Sequence, residues 1–258
     1  MKKIGILYVG IGEYIRFWDG FYKSCEQYFC TDCDKHYYVV TDQQLDLPER
    51  VTVIPQADLG WPGNTSFRFL FFLRAKEQLK HYDYLIMLNG NTRFKEPVTV
   101  EEVFPGKEDG GLVALTWKTK EENPDDFPFE RRAESAAFVP YGTKQLYVQG
   151  GFHGGFAADY LEALEECHRL TMADFNRGII AVNHDESVIN KYMQGKKFKL
   201  LDSTYGRPSQ RDKQHTAKIV FQRKEDILGR SWLRHYKSRK HTNTWLRKLL
   251  RRLGLVSD

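Results

Sequence analysis

The stretch Tyr84-Leu-Ile-Met-Leu88, followed at once by Asn89-Gly-Asn91, decides the fold class of this chain. Five consecutive apolar residues are too few for a buried helix, and they are typical of a short strand covered on both faces in a parallel sheet. The Asn-Gly-Asn sequence then predicts the turn at which this strand ends, because Asn-Gly is a favourable turn pair. In open α/β sheets, ligands bind at the carboxyl ends of the strands.

Segments of the same kind lie on both sides of this strand. Strands are predicted at 4–9, 36–40, 51–54 and 112–116, and helices at 17–29, 66–81, 160–167 and 186–193. Strands that alternate with helices predict one α/β domain with a central, mostly parallel sheet flanked by helices. Residues 202–224 are charged and weakly periodic and contain Gly206 and Pro208, which predicts a mobile loop or lid.

Composition limits the function classes. A chain of 258 residues with 41% hydrophobic residues fits one large domain, or a domain with an appendage. Cys30-x-x-Cys33 has the spacing of metal ligands, but no second pair follows, so reduced thiols of a cytoplasmic protein are favoured over a zinc site. No apolar run reaches the roughly 18 residues of a transmembrane helix, and no signal peptide is visible.

The net charge of +5 is concentrated near the C-terminus. Residues 230–258 contain nine Lys and Arg and one acid, so the rest of the chain carries a net charge of −3. We therefore predict a globular domain at 1–229 and a basic tail at 230–258, and no nucleic-acid partner for the whole protein. Trp245 and Leu249 fall opposite Arg251 on a helical wheel. This amphipathic pattern is typical of peripheral contact with an anionic inner-membrane surface, and packing onto the body is the alternative.

Two later stretches bring candidate site residues together. Tyr147-Val-Gln-Gly-Gly-Phe-His-Gly-Gly155 contains four glycines, which let a backbone approach a ligand closely. Asn183-His-Asp-Glu-Ser187 places Asp185 and Glu186 at the head of an apolar-periodic helix, a position where acids are favoured in any case. Together the two stretches predict a sugar pocket beside a catalytic acid.

These stretches, with Phe129-Glu-Arg-Arg-Ala-Glu-Ser-Ala-Ala137 upstream, resemble glycosyltransferase family 6. That family contains the blood-group A/B transferases, the α1,3-galactosyltransferase and short bacterial homologues. The resemblance runs from about residue 4 to about residue 228, with the motifs in the family's order. It implies a GT-A fold and a retaining α1,3-glycosyltransferase. The implied donor is UDP-GalNAc, alternatively UDP-Gal, and the implied acceptor is a galactoside, with a fucosylated galactose favoured.

The resemblance also implies roles for single residues. Glu186 matches the catalytic carboxylate, as nucleophile or as electrostatic support for an oxocarbenium-like centre, and Asp185 and Arg68 match donor-sugar ligands. Gly150 and Gly151 match positions that help to choose the donor, and a small residue at 151 favours GalNAc. The other implied positions are Gln149 beside the donor sugar; Val9, Gly10, Ile11, Tyr14, Arg223 and Lys224 for UDP; and Trp117, His153 and His184 for the acceptor.

Several of these residues also admit structural roles. Arg68 fits an ion pair, Trp117 fits the core, and the two histidines fit ordinary polar contacts. Arg223 and Lys224 fit solvated surface charge.

Asn89 and Asn91 depart from the usual pattern of GT-A enzymes. Such enzymes carry Asp-x-Asp at this strand end, where two carboxylates hold Mn²⁺ or Mg²⁺ against the diphosphate. An asparagine oxygen has no net charge and holds a divalent ion weakly. Bacterial members of the family carry the same substitution and work without metal, so we expect no metal cofactor and a diphosphate neutralised by basic residues. A non-catalytic nucleotide-sugar or glycan-binding module is the alternative.

Overall fold

The computed structural model describes residues 1–45 and 47–232. Most of the predicted basic tail, including Trp245, Leu249 and Arg251, lies outside the described residues. The tail, its membrane contact and the domain boundary at 229/230 therefore stay predictions. Within the described ranges, no helix combines the length and the apolar character needed to cross a bilayer.

Ten strands are formed by the described residues. They are β1 (Lys3–Val9), β2 (Asp34–Thr41), β3 (Val51–Pro55), β4 (Tyr84–Leu88), β5 (Thr92–Phe94), β6 (Leu112–Leu115), β7 (Phe152–Phe156), β8 (Lys199–Leu201), β9 (Arg207–Pro208) and β10 (Ile219–Phe221). Seven of them form a central sheet in the order β3-β2-β1-β4-β7-β6-β8, in which only β7 runs antiparallel to its neighbours. The other three form a small sheet in the order β5-β10-β9.

Helices cover both faces of the central sheet. They are α1 (Trp18–Tyr28), α2 (Gly63–Ser66), α3 (Arg68–Leu73), α4 (Lys76–Leu79), α5 (Val100–Val103), α6 (Ala157–Phe175), α7 (Asp185–Met193) and α8 (Lys224–Leu228), with 3₁₀ turns at 12–17, 107–109, 124–126, 203–205 and 209–211. Leu85 and Met87 of β4 belong to the apolar cluster under α3, α6 and α7, whereas Ile86 and Leu88 belong to the cluster under α1. The prediction of a strand buried on both faces is confirmed.

The predicted helix at 66–81 is wrong as one element. The chain forms α2, α3 and α4 instead, and it leaves helical geometry at Phe67 (φ −100, ψ 11) and at Ala75 (φ −102, ψ 16). Phe67, Phe69, Phe71 and Phe72 are all buried. Because they surround more than one face, a single straight amphipathic helix would leave some of these rings in water.

Two segments for which no strand was predicted contain strands. Part of the glycine-rich stretch is β7, which lies between β4 and β6. A Cβ at Gly154 would collide with the backbone oxygen of Leu85, so this strand position requires glycine for packing. The predicted lid at 202–224 contains β9, β10 and two 3₁₀ turns. β10 pairs with β5 on one side and with β9 on the other, and the pairing with β5 brings this segment against the carboxyl end of β4.

Candidate functional site

A cleft of ≈ 1120 Å³ opens at the carboxyl ends of β1 and β4, which are neighbours in the central sheet. The 3₁₀ turn at 12–17, the glycines before β7, the first turn of α7 and the segment after β10 complete its wall. All but two of the predicted site residues line this cleft, and the exceptions are Gly10 and His153. A cleft of this size accommodates a ligand larger than a single sugar.

The structure corrects the roles predicted for Gly10 and His153. His153 is 0% exposed, and its Nδ1 is hydrogen-bonded with the hydroxyl of Tyr160 at 2.6 Å. Burial lowers the pKa of His153 to about 3, so this imidazole is neutral and lies in the core rather than at the acceptor. Gly10 is also buried and absent from the cleft lining, and its N–H already donates to the carbonyl of Val40 at 2.9 Å.

Glu186 is held in one orientation by two donors. The hydroxyl of Tyr147 donates to Oε1 at 2.6 Å, and the N–H of Gly150 donates to Oε2 at 2.7 Å. The hydroxyl proton of Tyr147 points to Glu186 because the same oxygen accepts a hydrogen bond from Asn183 Nδ2 at 2.9 Å. Burial raises the pKa of Glu186, while the two hydrogen bonds and the charge of Arg68 act against that rise.

Asp185 faces Arg68 across the cleft floor. Arg68 Nη1 lies 3.2 Å from Asp185 Oδ2, and the same nitrogen donates to the carbonyl of Gly150 at 3.0 Å. Burial raises the pKa of Asp185 to about 7, and the attraction of Arg68 offsets only part of this effect. Apart from this ion pair, Asp185 Oδ2 has no hydrogen-bond partner, and Arg68 Nε also has none, although both atoms are buried. The ion pair predicted as the structural alternative for Arg68 therefore exists, and it lies inside the cleft.

The turn that presents these two acids is strained and braced. His184, the residue before α7, has φ 56 and ψ −123, a conformation that residues with side chains seldom adopt. Its ring lies 4.8 Å from that of Trp61 in the cleft. Two residues earlier, the N–H of Val182 donates to Oε2 of the buried Glu130 at 2.8 Å. Glu130 is also bound by Arg132, so the Glu-Arg-Arg motif fixes the approach to the acids.

Gly151 lies at a narrow point between the strand end and the small sheet. Its carbonyl accepts a hydrogen bond from the N–H of Asn89 at 2.9 Å. A Cβ at this position would lie 2.9 Å from Asn89 Nδ2 and 3.1 Å from Phe221 Cζ. The side chain of Gln149, next to these glycines, is buried, and its Nε2 has no hydrogen-bond partner. The wall at 149–151 is thus narrow, and a side chain at position 151 would have to displace Asn89 or Phe221.

Asn91 links the end of β4 to the segment that follows β10. Its side-chain Nδ2 donates to the backbone carbonyl of Gln222 at 2.7 Å, and its backbone carbonyl accepts the N–H of Gln222 at 2.8 Å. In the described ranges there is no cluster of three or more His, Cys, Asp or Glu side chains arranged to hold a metal ion. Asn89 and Asn91 therefore shape the cleft as neutral groups.

Aromatic side chains lie in two parts of the cleft wall. In one part, Lys224 Nζ lies 5.4 Å from the centroid of the Tyr14 ring, while Arg223 Nε donates to Glu225 at 3.0 Å. Elsewhere in the cleft wall, Trp117 is 41% exposed, so the core role considered for it is wrong. Its indole N–H donates to the carbonyl of Gly206, which fixes the ring in the wall.

Sequence reasoning missed the residues that hold the acids. Tyr147, Asn183 and Glu130 lie within the motifs quoted above, but each contributes through a partner distant in the chain. The hydrogen bond from Tyr147 to Glu186 spans 39 residues, and that from Val182 to Glu130 spans 52. The one available signal was an acid and a tyrosine in stretches otherwise rich in small residues.

Comparison with known proteins agrees with this geometry. A family model described as glycosyltransferase family 6 matches residues 68–228, a span that includes Arg68, the glycine-rich stretch, the acid pair and Lys224. The chain is 34% identical over 229 residues to the O-antigen biosynthesis glycosyltransferase WbnI of Escherichia coli, covering 86% of this chain and 95% of that protein.

Two animal proteins match a shorter part. The chain is 30% identical over 215 residues to human globoside alpha-1,3-N-acetylgalactosaminyltransferase 1, and 29% identical over 216 residues to rat histo-blood group ABO system transferase 2. Each match covers 78% of this chain but only 60% and 62% of the respective relative. The protein is thus a glycosyltransferase, with a nucleotide-sugar donor and a glycan acceptor. It belongs to glycosyltransferase family 6, and its fold is the mixed α/β, GT-A-like domain that the resemblance implied.

Proposed function

We propose that this glycosyltransferase transfers GalNAc, or alternatively Gal, from a UDP-sugar to the 3-hydroxyl of a galactoside, with retention and without a metal ion. The observation that carries the proposal is the Glu186 carboxylate, which Tyr147 and the Gly150 N–H hold in the same cleft as the Arg68–Asp185 pair. A fixed carboxylate beside a sugar-sized space is the arrangement that retaining transfer needs.

Glu186 acts on the anomeric carbon of the donor. Positive charge develops there as the bond to UDP breaks, and an ionised carboxylate stabilises it either by electrostatic attraction or by forming a glycosyl ester. Both roles require the charged form. The donors at Tyr147 and Gly150 favour that form, since they bind a carboxylate more strongly than a carboxylic acid.

The donor sugar binds between the Arg68–Asp185 pair and the glycine wall. The side chains of Asp185 and Gln149 line this part of the cleft and bring an acceptor and a donor for sugar hydroxyls, since Asp185 Oδ2 and Gln149 Nε2 make no hydrogen bond within the protein. Gly151 lies in the cleft wall and adds no side chain to it, which suits a donor with a bulky 2-acetamido group. The name of the human relative, an alpha-1,3-N-acetylgalactosaminyltransferase, supports the same donor.

The leaving UDP is neutralised by side chains. Asn89 and Asn91 carry no charge, so this strand end is a poor site for a divalent ion. Lys224 and Arg223 line the cleft near Tyr14 and supply positive charge at the nucleotide end. Trp117 offers a ring face for the acceptor galactoside, with His184 also in the cleft wall.

A transfer assay tests the proposal. The purified protein is given UDP-GalNAc or UDP-Gal with lactose or 2′-fucosyllactose, with and without EDTA, and the product linkage and anomeric configuration are determined by NMR. We expect an α1,3-linked product from UDP-GalNAc that EDTA does not reduce. Loss of transfer in EDTA that added Mn²⁺ restores would overturn metal independence, and a β-linked product would overturn retention. UDP-sugar binding without transfer or donor hydrolysis would favour the non-catalytic module that Asn89 and Asn91 also fit.

A further inference from the structure

Asp212 is a carboxylate buried outside the cleft lining. It lies in the loop between β9 and β10 and is only 3% exposed. Its Oδ1 accepts the N–H groups of Thr216 and Ala217 at 3.0 and 3.1 Å and Nη1 of Arg207 at 3.3 Å. Its Oδ2 accepts Nζ of Lys95 at 3.0 Å. A buried carboxylate with this many donors holds several segments of backbone together.

These contacts tie the loop to both edge strands of the small sheet. Arg207 is the first residue of β9, and it also donates to Ser203 Oγ at 3.1 Å and to Thr216 Oγ1 at 3.0 Å. Lys95 follows β5, on the other edge of that sheet. Asp212 therefore connects β9, β5 and the residues just before β10.

The segment held in this way forms one wall of the cleft. We call residues 203–222 the cleft plate. Pro208 and Gln210 line the cleft from this plate, and Phe221 lies at the narrow point beside Gly151. The plate also holds Trp117, because the carbonyl of Gly206 accepts the indole N–H.

We propose that Asp212 is a positioning residue that sets the cleft plate, and through it Trp117, for binding of the acceptor. This inference rests on the proposed function, because it assigns Trp117 to the acceptor galactoside. Removal of the carboxylate leaves Lys95 and Arg207 facing each other without their shared anion. The resulting repulsion moves β9 and Gly206 without touching Glu186.

Kinetics of Asp212→Asn test the inference. The amide keeps the shape of the side chain but removes the charge that Lys95 and Arg207 share. Because a wall shifted by about 1 Å impairs orientation, we expect the acceptor KM to rise about tenfold and kcat and the UDP-sugar KM to change less than about threefold. Asp202→Asn is the matched control. Asp202 accepts the N–H of Thr204 at 2.8 Å in the same segment, and this variant should keep the wild-type acceptor KM.

A second variant separates positioning from stability. Lys95→Met cuts the link to β5 but leaves Asp212 its other donors, and we expect a smaller rise of the acceptor KM in a protein with a near wild-type melting temperature. A loss of folded protein would lower the apparent kcat without raising KM. Unchanged acceptor KM in both variants would overturn the inference.

Acceptor affinity measured by calorimetry keeps the two proposals distinguishable. A wild-type protein that binds the acceptor but transfers nothing would overturn the proposed function alone, and weaker acceptor binding by Asp212→Asn would still support the positioning role. Equal acceptor binding by wild type and Asp212→Asn would overturn the positioning role whatever the rate of transfer.

Discussion

Asp185 and Asp212 are equally buried aspartates in two opposed regions of the molecule, each 3% exposed. Asp212, in the cleft plate, accepts four hydrogen bonds; burial alone would raise its pKa, but Lys95 and the backbone N–H groups bring it below the usual value. Asp185 leaves Oδ2 without a hydrogen bond, and its pKa rises to about 7. A buried carboxylate whose oxygens all accept hydrogen bonds from the protein is typical of a structural role. A buried carboxylate with too few hydrogen-bond donors is typical of a ligand-binding or catalytic site.

The largest expected effect is that of Glu186→Gln. If the region around Asp185 and Glu186 carries the chemistry, kcat should fall by about 10³-fold or more, because the neutral amide no longer stabilises positive charge at the anomeric carbon. Transfer rates and UDP-sugar affinity by calorimetry check this, and affinity should stay within a few fold. Glu49→Gln, on an exposed turn, is the control. A Glu186→Gln variant with wild-type kcat would refute the catalytic role.

Gly151→Ala tests the contact between the cleft plate and the wall that carries the glycines. The added methyl would lie against Asn89 Nδ2 and Phe221 Cζ, so space for a 2-acetamido group should shrink. We expect kcat/KM for UDP-GalNAc to fall roughly 10- to 100-fold relative to that for UDP-Gal, in line with the selectivity of steric pockets. Competition between the two donors in one assay measures the ratio. An unchanged ratio would place donor selection elsewhere.

Tyr147→Phe tests whether the hydrogen bond from Tyr147 keeps Glu186 ionised. Burial already raises the pKa of Glu186, and the Tyr147 hydroxyl is the first of the groups that lower it. Its removal should therefore raise that pKa further and shift the acid limb of kcat/KM to higher pH. We expect the loss of kcat/KM to grow as the pH falls through this acid limb and to disappear above it. Tyr192→Phe removes another hydroxyl-to-carboxylate bond, to Glu162, and should leave the limb in place; equal shifts in both variants would contradict the assignment.

The smallest effect concerns stability. The folded-state pKa of Asp185, about 7, lies above its ordinary value of 3.8, so the stability that its protonated form contributes is lost as pH rises from about 4 to about 7. Asp185→Asn has no carboxylate to ionise and therefore does not lose this stability. The melting temperature of the variant minus that of wild type should thus increase by a few degrees from pH 5 to pH 8.

Asp212→Asn should behave in the opposite sense. The lowered pKa of Asp212 contributes stability at neutral pH that is lost as pH falls through the folded-state pKa. The destabilisation of this variant should therefore be largest near pH 7 and shrink towards acid. If the melting temperatures of Asp185→Asn and Asp212→Asn, each relative to wild type, changed with pH in the same direction, the distinction between the two aspartates would be refuted.

The predictable features are those encoded by neighbouring residues. The buried strand β4 was predicted because five apolar residues stand together, and the acids of α7 because they lie in a compact motif. The strand within the glycine-rich stretch escaped prediction, since glycine has no side-chain pattern to reveal a period of two. His153 was assigned to the acceptor from its place beside the glycines, but its position in β7, paired with Met87 and Ala114, buries it.

The unpredicted part of the site depends on contacts between distant residues. Asp212 meets Lys95 across 117 positions, and Glu130 meets Val182 across 52. The short strands of the cleft plate depend on such contacts, because two or three residues are too few for a periodic signal. Composition shows only that this segment is charged; which charges pair is decided by the fold.

The run of glycines in this chain has two halves with different freedom to change. Gly150 and Gly151 border the cleft, where an added methyl meets side-chain atoms, whereas Gly154 and Gly155 press against the backbones of β4 and of the residues before β6. Under the proposed function, we expect substitutions in the first half to alter which sugar fits, and substitutions in the second half to separate the strands. A designed library aimed at sugar preference should therefore vary residues 149–151 and keep Gly154 and Gly155 fixed.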